Sequence, residues 1–414
     1  MSLEESILQA VRRLGYANVR PYQMEAIRSF VSGRDVFVSL PTGYGKSLVY
    51  SALPYAFDNV LGCHGSIIVI ISPLISLMKD QVAALKSKGL SAVCITGDIT
   101  NDQAIRESVT KGEFQAIFIS PEILLTNSLW RQMVRAPVFT KHLVAVGVDE
   151  AHCITKWGEH FRQEFANLGE VRSLIPPHVN VLALTATATV ATRKKIISIL
   201  GMKDPAVVCI SPDKGNISYN IKTRVTIEEA FAPVVRKLKN ERAKMQRVIV
   251  FCRKYDDCSA LYYYFEAMLG AEFTEPIAAP NLPRFRLVDM YTSVTQKEVQ
   301  ESILKSFSSS NAPLRLVICT IAFGMGIDCM DVKQVIHWGP SSDIESYIQE
   351  CGRAGREGHP SSALLYVKKS DLKSISKDMK QYCMQQEYCR RKLLCSYFDS
   401  STAAIEDVVV FLLS

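Results

Sequence analysis

Apolar positions along the chain fall into two long series. Residues 1–30 carry them at helical spacing: Ile7, Val11 and Leu14 share one face, and Tyr22, Ala26 and Phe30 resume the pattern after the break at Pro21. Short Val/Ile runs then follow at 67–71, 92–96, 116–120, 144–149 and 181–185, interleaved with helical stretches near 74–85, 102–109 and 190–200. Runs that are apolar at nearly every position fit strands covered on both faces, and their alternation with helices predicts a parallel α/β sheet. Near 202–224 the spacing loosens into Lys203-Asp204-Pro205 and Ser211-Pro212-Asp213-Lys214-Gly215-Asn216. A linker is therefore placed at 206–224, between a first domain at 1–205 and a second at 225–370. The second series has strand runs at 248–252, 287–291, 316–320, 335–338 and 363–367, with helices near 260–269, 298–307 and 344–351. Between 270 and 286, Pro276, Pro280 and Pro283 stand among polar residues, as in a surface loop or a functional insertion. From 371 to 414 the chain reads as a short helical segment, charged over 373–391 and ending on the apolar run 408–413.

With 414 residues and 48% hydrophobic content there is enough chain for two ordinary cores. No apolar stretch reaches the roughly 18–20 residues of a membrane span, and the acidic, amphipathic start does not resemble a signal peptide, so neither a membrane nor a secreted location is expected. Lys and Arg exceed Asp and Glu by 48 to 41, a net +7 that suits a polyanionic partner as well as a solvated surface. Twelve cysteines occur without C-x-x-C pairs, several inside strand-like runs (Cys209, Cys252, Cys319), as buried thiols would. The six-residue spacing of Cys383, Cys389 and Cys395 matches no common zinc pair.

The chemistry centres on Ser39-Leu40-Pro41-Thr42-Gly43-Tyr44-Gly45-Lys46-Ser47, entered from an apolar strand and left into a helix. That order is a phosphate loop. Gly43 and Gly45 let backbone N–H groups close around phosphate oxygens, Lys46 reaches the β and γ phosphates, and Ser47 ligates Mg²⁺. Thr42, Gly43, Gly45, Lys46 and Ser47 are thus candidate nucleotide contacts, although Leu40 stands where the strict pattern has its first glycine. A hundred residues on, an apolar strand ends in Asp149-Glu150-Ala151-His152, and an acidic pair at a strand's carboxyl end lies where parallel sheets bind ligands. Together the two motifs predict a nucleotide triphosphatase. The second lobe has no phosphate loop of its own, but Gln349-Glu350-Cys351-Gly352-Arg353-Ala354-Gly355-Arg356 offers two arginines around a glycine turn. Arg353 and Arg356 suit the role of a fixed transition-state cation, worth about 10³–10⁵ in rate.

With Ile321-Ala322-Phe323-Gly324-Met325-Gly326-Ile327-Asp328, these stretches resemble the RecQ-type DNA helicases of superfamily two, over roughly residues 10–395. Arg20 to Gln23 is similar to the family's adenine-reading segment, Ser72-Pro73-Leu74-Ile75-Ser76-Leu77-Met78-Lys79-Asp80-Gln81 to motif Ia, and Thr185-Ala186-Thr187 to motif III. The run from His152 to Arg162 resembles the aromatic-rich loop that senses single-stranded DNA, with Trp157 and Phe161 as stacking faces and Arg162 as a phosphate contact; Glu159-His160 stand where the family has His-Asp.

The resemblance implies two RecA-like lobes in tandem, with the ATP site in the cleft between them, and a helical remnant of a zinc-binding subdomain. It implies ATP and Mg²⁺ as cofactors. Arg20 and Gln23 would bind adenine, Asp149 would order the metal with Ser47, and Glu150 would activate water. Lys46, Arg353 and Arg356 complete the catalytic set, with Asp328 and Gln349 as further nucleotide contacts. Expected partners are single-stranded and forked DNA, expected movement is 3′ to 5′, and the location would be nuclear in a eukaryote, otherwise cytoplasmic or nucleoid. A regulatory DNA-binding form and an RNA-directed ATPase remain the alternatives. Cys389 matches the first zinc ligand of the family, but the later ones are absent, so zinc is not expected. Nor is ATP turnover expected to depend on residues beyond about 370.

Overall fold

Two all-parallel sheets organise the chain in the computed structural model, which describes residues 2–97, 102–157, 164, 167–309, 311–324, 331–355, 358–385 and 387–398, the side chains of 156, 157, 322 and 324 excepted. They belong to separate units, residues 1–212 and 213–414. The first sheet contains β1 (Val36–Ser39), β2 (Ile67–Ile71), β3 (Ala92–Ile95), β4 (Ala116–Ile119), β5 (Leu143–Val148), β6 (Asn180–Thr185) and β7 (Ala206–Cys209), in the spatial order β3-β4-β2-β5-β6-β1-β7. Every neighbouring pair is parallel. The five residues of β2 are all fully buried, each side chain contributing about 1.5–3 kcal/mol of transfer free energy, which explains a strand with no polar alternation. Because β2, β5, β6 and β1 are adjacent, the segments that follow them emerge side by side at one sheet edge.

The second sheet contains β8 (Ile217–Thr223), β9 (Arg247–Cys252), β10 (Val288–Tyr291), β11 (Leu316–Cys319), β12 (Val332–Trp338) and β13 (Ser361–Val367), in the order β10-β11-β9-β12-β13-β8, again all parallel. A helix absent from the hydrophobic reading, Ile227–Glu241, covers part of one face. Thr226 and Glu229 form its capping box, and it buries Phe231 against Phe265 and Trp338.

Two boundaries differ from expectation. Most of the stretch expected as a linker is strand: β7 closes one edge of the first sheet and β8 one edge of the second. Edge strands need only part of their surface covered, so Ile217 to Thr223 alternate polar and apolar residues and resemble a loop in composition. Within the stretch expected as a helical remnant, the described residues 377–398 are part of the second core. Helices Lys377–Met384 and Arg390–Ser396 place Met379, Tyr382, Leu393 and Leu394 in one cluster with Ile249, Val317 and Tyr347. Residues 270–286 are also pinned. Arg242 donates to the carbonyls of Glu272 and Thr274 and lies 3.1 Å from the Glu275 carboxylate.

Candidate nucleotide site

The phosphate loop grows out of β1. Leu40 N donates to Thr185 O at 3.1 Å and its side chain is fully buried, so Leu40 extends the strand pairing where glycine is usual in such loops. Its carbonyl accepts from Lys46 Nζ at 3.2 Å, which holds the ammonium back over the loop. Gly43 and Gly45 have φ of +85° and +86°, left-handed values that glycine takes without strain, and between them Tyr44 N donates to Pro41 O at 3.0 Å, closing the turn ahead of the helix. At Gly45 a Cβ would also lie 2.7 Å from Gln23 Nε2. Lys46 then opens helix Lys46–Ser51, with Ser47 half-buried in its first turn and Thr42 exposed before it.

Arg20 and Gln23 join this loop from helix Pro21–Val31. Gln23 is buried; its Oε1 accepts from Arg20 N at 2.9 Å, and its Nε2 donates to the carbonyls of Tyr44 (3.0 Å) and Gly45 (2.9 Å). Arg20 donates to Tyr44 O at 3.2 Å, and its guanidinium stacks 4.7 Å from the Tyr44 ring.

Beside it, the acidic pair ends β5. Asp149 N donates to Ile71 O at 2.9 Å and Ala151 N to Leu184 O at 2.8 Å, which stitches the turn to both neighbouring strands. Glu150 takes φ +49°, a strained value for a side-chain-bearing residue of the kind that collects at functional sites. Burial first, then the Glu150 carboxylate, pushes the Asp149 carboxyl up to about 6, against the pull of Lys46. Buried Asp149 and half-buried Glu150, with the Lys46 ammonium acting on Asp149, supply hard carboxylate oxygens of the kind Mg²⁺ takes and a cation for a triphosphate, so the residues fit both groups.

His152 links this pair to the next strand. Its Nδ1 lies 3.3 Å from Glu150 Oε2 and 3.1 Å from Thr185 Oγ1. Thr185 Oγ1 donates to Thr187 O, so the His152 contact requires the proton on Nδ1. Burial disfavours a charged ring, but Cys153 and Glu150 more than offset it and hold the pKa at about 10. This bridge between the acidic turn and Thr185-Ala186-Thr187 is not evident in the sequence, where His152 within Asp-Glu-Ala-His is its one signal.

The second unit carries Gln349, half-buried, and Arg353, buried, around the end of helix Ile344–Cys351. Glu350 on the same helix accepts from Ser341 Oγ at 2.5 Å and lies 2.9 Å from His337 Nε2, which ties the helix to the end of β12. Asp328, Arg356, Phe161 and Arg162 lie outside the described residues, as does the side chain of Trp157, whose backbone ends helix Cys153–Trp157. Cys389 is exposed and precedes helix Arg390–Ser396, and among the described residues no three His, Cys, Asp or Glu side chains are grouped as metal ligands.

Residues 20–196 match the DEAD/DEAH box helicase family, and residues 229–358 match the helicase conserved C-terminal domain. The chain is 31% identical over 412 residues to the "ATP-dependent DNA helicase RecQ" of Pasteurella multocida, covering 95% of this chain and 59% of that protein. It is 30% identical over 408 residues to the "Putative ATP-dependent RNA helicase R290" of Acanthamoeba polyphaga mimivirus, covering 94% of this chain and 68% of that protein. The solved structure of the helicase MrfA bound to DNA superposes with a TM-score of 0.67 at 18% identity, covering 92% of this chain and 53% of that one, a likeness of fold alone. The chain thus spans about three-fifths of the length of its bacterial relative.

Proposed function

Because the chain belongs to the RecQ-type helicases of superfamily two, we propose that its two RecA-like lobes hydrolyse ATP to move along single-stranded DNA, 3′ to 5′, and to separate strands at forks. The observation that carries this reading is the shared edge of the first sheet, where the phosphate loop, the acidic pair and Thr185-Ala186-Thr187 are joined by direct hydrogen bonds.

In this reading Arg20 and Gln23 bind the adenine end and keep the loop in shape, while the N–H groups around Gly43 and Gly45 and the Lys46 ammonium take the phosphates. Ser47 and Asp149 hold Mg²⁺, which neutralises phosphate charge when bound. Glu150 accepts the proton of the attacking water, and its strained backbone aims the carboxylate. Arg353, with Arg356, Gln349 and Asp328, belongs to the second lobe and supplies the fixed cations and contacts that complete the site. The Glu150–His152–Thr185 bridge gives nucleotide-state changes a route into the adjoining segment, where Trp157, Phe161 and Arg162 contact the DNA strand. Work on DNA in repair or recombination, at the nucleus or nucleoid, follows from the same membership. No helix among the described residues is long and apolar enough to cross a membrane.

One relative carries an RNA helicase name, so the test has an RNA arm. ATP turnover is measured with single-stranded DNA, with single-stranded RNA and with neither, alongside Lys46→Ala. Stimulation by DNA and background turnover in Lys46→Ala are expected, with DNA binding kept. Stimulation by RNA alone overturns the choice of DNA, and near-normal turnover in Lys46→Ala overturns the phosphate-loop assignment.

A further inference from the structure

The turn that carries Arg353 is held from outside its own motif. Lys214 Nζ donates to the carbonyls of Gly352 (2.5 Å) and Ala354 (3.2 Å), on either side of Arg353. Asn216 Nδ2 donates to the carbonyls of Gly355 (2.9 Å) and His359 (2.7 Å). The approach is so close that a Cβ on Gly355, whose φ is +65°, would lie 2.4 Å from Asn216 Nδ2. From the sheet side, Gly355 N donates to Val332 O at 3.1 Å.

Lys214 and Asn216 belong to residues 213–216, the first residues after the division between the two units. This stretch is in turn gripped by Arg391, from helix Arg390–Ser396. One guanidinium nitrogen of Arg391 donates to both Asp213 carboxylate oxygens (3.0 and 3.1 Å) and to Lys214 O (2.9 Å); the other donates to the carbonyls of Gly215 (3.2 Å) and Ile217 (2.5 Å). A planar fork with fixed donors can hold several consecutive backbone groups at once, which a lysine in the same place cannot.

We propose that residues 213–216, braced by Arg391, form a positioning clamp that sets where Arg353 stands, so that turnover depends on the joint between the lobes and on the C-terminal helix. The proposal rests on the reading of Arg353 as the transition-state cation. It replaces the expectation that nothing beyond residue 370 matters for ATP hydrolysis. Since residues 213–216 are also the covalent joint between the units, a change in the joint's backbone is a change in the seat of Arg353.

The test is steady-state ATPase at saturating single-stranded DNA for Lys214→Met, Arg391→Gln, Arg391→Lys and Arg353→Ala, and for the first two combined with Arg353→Ala. Misplacing a catalytic group by about 1 Å costs on the order of 10²-fold, so a fall in kcat of about ten- to a hundredfold is expected in each clamp variant, with KM for ATP within about twofold. Arg391→Lys, which keeps the charge but not the fork, is expected to behave as Arg391→Gln does. In the Arg353→Ala background the clamp variants are expected to cost nothing further. A general loss of folded protein would instead multiply with Arg353→Ala, and that result overturns the clamp. So does an unchanged kcat in Lys214→Met, which leaves the Arg391–Asp213 pair intact and whose folding is checked by its thermal midpoint. An Arg353→Ala protein with normal kcat overturns the underlying reading of Arg353, and the clamp with it.

Discussion

Replacing Gln23 by Met keeps the size of a buried side chain and removes three hydrogen bonds: that from Arg20 N and those to the carbonyls of Tyr44 and Gly45. Each is worth about 0.5–1.5 kcal/mol net, and because Tyr44 and Gly45 are partly open to water the lower half of that range applies. The loop therefore loses about 2 kcal/mol of restraint, which a bound nucleotide must restore. Affinity should fall roughly 30-fold, since 1.4 kcal/mol is a factor of ten. Restraint of the loop acts on the phosphates, so inorganic triphosphate, which has no base, should lose the same factor as a competitive inhibitor. Any further loss for ATP measures the adenine contact. The experiment compares the inhibition constant of triphosphate and the dissociation constant of ATP in wild type and Gln23→Met. A loss confined to ATP, with triphosphate unchanged, refutes the idea that Gln23 holds the loop and leaves it as a base reader only.

Two other predictions concern segments outside the phosphate loop. Trp157→Ala combined with Phe161→Ala should leave basal ATP turnover almost unchanged and remove most of its stimulation by single-stranded DNA; persistent stimulation would return both aromatics to structural roles. Arg242 has φ +52° while tying down Glu272, Thr274 and Glu275, so Arg242→Ala should destabilise the chain by about 2–4 kcal/mol in urea unfolding. Arg242→Gly should be milder than Arg242→Ala by about 1 kcal/mol, the reverse of the usual helical order, because only glycine takes that φ without strain; Ala as the milder change would show that the backbone there is relaxed.

The phosphate loop and the acidic pair, proposed to do the chemistry, are legible in the sequence because each directly follows a strand. A strand, a Gly-x-Gly-Lys-Ser turn and a helix in that order form a local pattern that suits a phosphate loop, and Asp149-Glu150 follow their apolar strand directly. The same locality let the strand runs at 67–71, 116–120 and 316–320 be read, since a strand covered on both faces is apolar throughout. Leu40 shows the limit of that locality. Its place in the motif argued for glycine, and only the sheet, which buries the side chain and pairs its N–H with Thr185, accounts for leucine.

What the tertiary structure decided lies in contacts that leave no periodic trace. Edge strands β7 and β8 look like linker in the sequence because half-covered strands need no continuous apolar run. The C-terminal helices look like a remnant in the sequence because nothing local says which core their apolar faces enter. The seat of Arg353 was out of reach for a sharper reason. Lys214 reaches Gly352 across 138 positions, and Arg391 reaches Asp213 across 178. Most acceptors in that chain of contacts are main-chain carbonyls, which every residue carries, so the sequence of the acceptor says nothing about its partner. Only the folded backbone decides which carbonyls stand within 3 Å of a given cation.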